Sequence, residues 1–131
     1  MPTSEGGGLI HGDLTEKIIG AAIDVHRALG PGLLESVYEA CLAFELTDRG
    51  IPNQRQVPLP VEYREVRVDV GFRIDLLVDN AVIVEIKAIE GLIPIHEAQL
   101  FTHLRLSKHR VGLLINFNCI VLTKQIKRRV L

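Results

Sequence analysis

Asp75, Glu85 and Lys87 lie within GFRIDLLVDNAVIVEIKA, residues 71–88. The segment reads as two strands joined around Asp79-Asn80, and side chains alternate faces along a strand. Register therefore decides whether the charged side chains meet. A two-residue turn sets Val78 opposite Ala81 and scatters charges among apolar side chains on both faces. A three-residue connection, Asp79-Asn80-Ala81, sets Val78 opposite Val82, Leu76 opposite Val84 and Ile74 opposite Ile86. Ile74, Leu76 and Val78 then share one apolar face, and Asp75 lands opposite Glu85. Patterning favours this second register. Directly opposed positions have Cβ atoms about 5 Å apart. Two carboxylates that close repel unless something positive sits between them, and Mg²⁺ or Mn²⁺ with oxygen ligands fits best. Lys87, on the face of Glu85, could then polarise a water or stabilise charge developing on a phosphate. The same alternation also suits a plain solvated sheet face.

Other chemistries find less support. His96 and His103 share a helical segment but stand two turns apart, roughly 10 Å, too far for one zinc ion. His103 follows Gln99 by four positions, hence on the same helix face. His11, His26 and His109 form no ligand cluster. Ser36 and Cys41 have no evident base partner for nucleophilic catalysis. Gly6 to Gly8 precede no phosphate-loop lysine. Cys41 and Cys119 lack CxxC spacing and sit in apolar stretches, which reads as two buried, reduced thiols.

The elements that must position the three residues follow from periodicity. A helix is predicted over 13–29, with an Asp13/Glu16 capping box and a stripe of Leu14, Ile18, Ala21, Ala22, Val25 and Leu29. Gly30-Pro31-Gly32 ends it. A second helix, 33–49, turns Leu34, Val37, Tyr38, Cys41 and Leu42 inward, with Gly50 as terminator. The period then changes. Residues 54–61 and 66–77 read as strands with a turn near 63–65, and Pro52, Pro58 and Pro60 mark an edge or irregular pairing. Residues 81–88 form a strand, 95–107 a helix after Pro94, and 111–117, continuously apolar, a buried strand. The order ααβββαβ implies an α/β fold, a mixed sheet with helices packed against it.

The chain of 131 residues, 47% hydrophobic with mean hydropathy +0.24, suffices for one packed core, expected over 13–131, after a flexible tail over 1–12. No apolar run reaches membrane-spanning length, and no signal-peptide pattern opens the chain; the expectation is a cytoplasmic protein with no membrane contact. Aromatics, at 5% without Trp, disfavour base reading by stacking. The formal net charge of −1 conceals a split. Residues 1–100 hold 8 Lys and Arg against 16 Asp and Glu, a net of −8, and residues 101–131 hold 7 Lys and Arg and no acid, a net of +7. Those seven, Arg105, Lys108, Arg110, Lys124, Lys127, Arg128 and Arg129, read either as a solvated tail or as a surface that meets phosphates.

Asp75 with Glu85-Ile86-Lys87 resembles the active-site pattern of the PD-(D/E)xK nuclease superfamily. Gly71 to Asp75 is similar to the GxxxD variant of RecB-like nucleases. Gln99 opens the QxxxY helix motif of that branch, with His103 in the place of its Tyr. LGPGLLESVYEACLAFEL, QVPLPVEY, VEIKAIEGLIPIHEAQL and GLLINF resemble the small prokaryotic GxxExxxR proteins, with Gly32 and Glu35 in place and Glu39 where the Arg belongs. The resemblance covers nearly all of the chain after residue 13. It implies a restriction-endonuclease-like fold and a nuclease that hydrolyses the phosphodiester bonds of DNA, or less readily of RNA, with Mg²⁺ or Mn²⁺. Asp75, Glu85 and the Ile86 carbonyl would bind the metal. Lys87 would contact the attacking water or the scissile phosphate, Gln99 would orient the site, and Glu35 would supply a further acid from the helix. A short chain without a domain for choosing a target points to a homodimer or a partner subunit. The departures at Glu39 and His103 fit a rival reading: a non-catalytic nucleic-acid- or protein-binding module that keeps the fold. Hydrolysis of a smaller phosphate ester is a third.

Overall fold

A computed structural model of the chain describes residues 9–69 and 71–131. The expected tail over 1–12 falls outside the described residues from 1 to 8. The chain runs α1 (Gly12–Leu29), α2 (Glu35–Asp48), β1 (Asn53–Pro58), β2 (Val61–Tyr63), β3 (Val66–Val68), β4 (Arg73–Val78), β5 (Val82–Lys87), α3 (Pro94–Ser107), β6 (Val111–Asn116), a 3-10 turn (Leu122–Gln125) and β7 (Ile126–Val130). Five strands form one sheet in the order β1-β4-β5-β6-β7, and β2 and β3 pair as a separate hairpin. β5 and β6 are parallel and joined through α3, and the other neighbours in the large sheet are antiparallel.

Helices cover both faces. α1 and α2 pack Ile18, Ala22, Tyr38 and Leu42 against Leu76, Val84, Ile86 and Leu113. α3 packs Leu100 and Leu104 against Ile83 and Leu114 on the other face. Every residue of β6 is buried, as its unbroken apolar run requires for a strand covered on both sides. No helix among the described residues is long and apolar enough to cross a membrane.

The β4–β5 connection has the odd length that patterning demands. Asp79 and Asn80 both take left-handed backbone, at φ 52° and 51°, a region these side chains tolerate. The Ala81 N–H closes the turn on the Val78 carbonyl at 2.9 Å. Val78 then pairs with Val82, Leu77 with Ile83 and Leu76 with Val84.

Elsewhere the structure corrects the sequence reading. α1 begins at Gly12 with left-handed His11 before it and no side-chain cap, so there is no Asp13/Glu16 capping box; instead Arg128 from β7 bonds the Ile10 carbonyl and the Thr15 hydroxyl. α2 is rotated from the expected face: Tyr38, Glu39, Leu42, Ala43 and Leu46 are buried, and Leu34 and Val37 are exposed. The strand expected over 66–77 divides into β3 and β4 around residues 69–72, of which Val70 lies outside the described residues. Ile74 packs on the α3 side with Leu77 and Ile83, not with Leu76 and Val78. The reason lies in the neighbouring strand, where Gln56, opposite Asp75, has φ 52° and interrupts the ladder between the Arg55–Leu76 and Val57–Ile74 pairs. The basic C-terminal run is not a tail: it forms the edge strand β7, paired with β6 from Val130–Val111 to Ile126–Ile115. Cys41 and Cys119 are free thiols as expected, but each is half-buried.

Candidate active site

Asp75 and Glu85 stand on adjacent antiparallel strands, one step beyond the last regular pair, Leu76–Val84. Asp75 Oδ2 accepts the backbone N–H of Ile86 at 2.8 Å, so its carboxylate takes a donor of β5 at the point where the ladder stops. Burial pushes the Asp75 carboxyl above the ordinary aspartate range, the Ile86 N–H opposes that, and the charges of Glu39 and Glu85 push it further up against the pull of Lys87. Glu85 is 4% exposed, an expensive place for a carboxylate without a partner. Its partner is His103 of α3, whose Nδ1 donates to Glu85 Oε2. The His103 ring meets the Phe72 ring edge-on, with centroids 5.4 Å apart.

Lys87, half-buried, is held through the backbone around it. Its carbonyl accepts the Phe117 N–H at 2.8 Å. The next N–H, of Ala88, donates to Glu35 Oε2 at 3.1 Å. The one after, of Ile89, donates to Oδ1 of buried Asn116 at 3.0 Å. Glu35, the first residue of α2, thus comes to the end of β5, where it caps a backbone donor. Gln99 is exposed on α3, one turn before His103, and among the described residues no side-chain hydrogen bond joins it to the carboxylates.

Arg55 and Gln56, passed over in the sequence, and Glu39, singled out there only as a departure from the family pattern, complete the surroundings. Glu39, 6% exposed, accepts from Arg55 Nε at 3.1 Å and from Gln56 Nε2 at 2.7 Å. Gln56 Nε2 also reaches Asp75 Oδ1, at 3.4 Å. The available signal was the i, i+4 spacing of Glu35 and Glu39, which places both acids on one helix face.

The seven basic residues do not form one surface. Arg128 reaches α1, and Arg129 pairs with Glu97 of α3. Arg110 Nε donates to the Leu131 carbonyl at 3.0 Å. Lys127 borders a hollow with Leu92, Ile93, Pro94 and Glu97. Arg105, Lys108 and Lys124 are exposed.

The donor set fits a hard divalent cation. Two hard carboxylates lie at a strand junction with their charges unfavourably close, and each retains an oxygen without a short hydrogen bond. Among the described residues no third His, Cys, Asp or Glu joins them in a metal-ligating group.

A mixed five-stranded sheet flanked by helices, with an acid on one central strand and acid-x-Lys on the next, is a restriction-endonuclease-like fold. A family model described as the PD-(D/E)XK nuclease superfamily matches residues 12–129, and the chain belongs to that superfamily. No curated protein and no solved structure matches the chain.

Proposed function

We propose that the protein is a metal-dependent nuclease that hydrolyses phosphodiester bonds of DNA, with Asp75, Glu85 and the Ile86 carbonyl holding Mg²⁺ or Mn²⁺. The observation that carries this reading is the junction of β4 and β5. Asp75 is fixed on the Ile86 N–H, Glu85 follows one residue before Ile86, and Lys87 one residue after it. A divalent cation there would supply Lewis acidity and lower the pKa of water. Lys87 orients the attacking water and stabilises the charge gained by the phosphate oxygens. Glu35 and Asn116 fix the backbone beyond Lys87, and with it the origin of that side chain. Gln99, exposed on α3, contacts the nucleic-acid backbone. The exposed Arg105, Lys108 and Lys124 are the members of the basic set most available to further phosphates.

The test is cleavage of single- and double-stranded DNA, with RNA in parallel, by purified protein in Mg²⁺ or Mn²⁺. Cleavage lost in EDTA, in Asp75→Asn and in Lys87→Ala supports the reading. Wild-type protein no more active than Lys87→Ala on every substrate removes it.

A further inference from the structure

We propose that Arg55 binds a phosphate of the polynucleotide beside the carboxylates and that buried Glu39 holds it there; this rests on the nuclease reading above. Arg55 and Gln56 are consecutive in β1. In a regular strand their side chains would point to opposite faces. Here both donate to the two oxygens of one carboxylate, Glu39. The left-handed backbone of Gln56 makes this possible. Non-glycine residues adopt that conformation at a cost, and such strain gathers at working sites.

What the distortion achieves is a placed guanidinium. Gln56 spans Glu39 and Asp75, so the anchor of Arg55 lies two side-chain contacts from the Asp75 carboxylate. Arg55 gives Glu39 its Nε–H, while its side chain stays 47% exposed. Its two Nη groups have no hydrogen-bond partner among the described residues. A guanidinium is a rigid fork of donors that suits phosphate oxygens, and here the fork is pinned at its base and open at its tip. Arg129 differs, since both its Nη groups are engaged, on the Arg128 carbonyl and on Glu97, and Arg128 is turned onto the start of α1 through Nε and one Nη. The need is electrostatic: Glu39, Asp75 and Glu85 together repel a polyanion, and a fixed cation at the rim offsets that.

The experiment titrates a labelled DNA oligonucleotide with the full chain in EDTA across a salt series, and measures KM for cleavage in Mn²⁺ alongside. Arg55→Ala is expected to weaken binding roughly tenfold, the worth of one charge-assisted hydrogen bond, to raise KM with little change in kcat, and to flatten the log–log salt slope by about one. Arg55→Lys, which keeps an ion pair with Glu39, is expected to bind between the two with the wild-type slope; it decides the matter if Arg55→Ala melts below the assay temperature. A purely structural Arg55 would leave the slope unmoved. Variants that match the wild type in affinity, KM and slope while the wild type cleaves DNA overturn this proposal and leave the nuclease reading standing. A wild-type chain that neither binds nor cleaves nucleic acid overturns both.

Discussion

The Asp75 carboxylate accepts the Ile86 N–H at 2.8 Å, a side chain standing where a strand would offer a carbonyl. The residue between the two acids and the lysine is thereby bound to the first acid through its backbone. The fixed spacing of Glu85, Ile86 and Lys87 becomes a geometric constraint, with Asp75 attached to the middle of the triplet and the flanking side chains held on either side of it.

That arrangement stabilises the site at the expense of the fold. The Asp75 carboxyl is raised by burial and by neighbouring acids, so the folded state holds its proton more tightly than the unfolded chain does. A raised value means stability is gained as pH falls and lost as pH rises through the folded-state pKa. Asp75→Asn can still accept the Ile86 N–H and carries no charge. It is expected to abolish cleavage and to melt higher than the wild type at neutral pH in metal-free buffer, with the gap closing toward the ordinary aspartate range. Thermal melts at neutral and acidic pH check this, and a variant melting lower at neutral pH contradicts it.

Lys87→Gln, one bond shorter, keeps a polar side chain with hydrogen-bond donors and removes the charge. The backbone bonds from Phe117 and to Glu35 and Asn116 do not involve that side chain, so the fold should be untouched. The expected result is a fall in kcat of about 10²–10³, as for loss of one preorganised charge-stabilising donor, at nearly unchanged oligonucleotide affinity. A fall confined to KM would place Lys87 in ground-state binding instead.

The hairpin register was legible because buried strands leave one pairing that keeps charges out of an apolar face. The helices were legible by period, yet the face of α2 was not. Glu39 reads as solvent-facing by type and is buried because Arg55 and Gln56 satisfy it, residues that sequence order places in another element. The interrupted alternation at Asp75 has its cause in the backbone of Gln56, on a neighbouring strand, so no pattern within β4 announces it. β7 escaped for a different reason. IKRRV has apolar residues only at its two ends, and an edge strand bears such charge readily.

The two halves of the basic run should separate on mutation. Arg128 bonds Thr15 and the Ile10 carbonyl across the start of α1. Arg128→Ala is expected to cost about 1–3 kcal/mol, the range for orphaning partly buried polar partners, visible in denaturant melts. Lys124 is exposed on the 3-10 turn, so Lys124→Ala should leave stability within about 0.5 kcal/mol and flatten the salt dependence of oligonucleotide binding. Equal stability losses in the two would mean that Arg128 does not staple α1.

Gly112 sets the distance between α3 and the sheet. A Cβ built there would fall 2.6 Å from Leu100 Cδ1 and 3.1 Å from its Cγ, and Leu100 is fully buried, so it gives way only by displacing its packed neighbours. Gly112→Ala is therefore expected to destabilise by about 1–3 kcal/mol, as overpacking does. Because Leu100 and His103 share α3, lifting the helix also pulls His103 from Glu85, so activity should fall together with stability. Leu100→Ala removes the clashing atoms but alone opens a cavity costing about 2–5 kcal/mol. The double variant should then lose clearly less than the sum of the singles, a coupling that denaturant titrations of the four proteins measure. Strict additivity would show that α3 is spaced from β6 by something other than this contact.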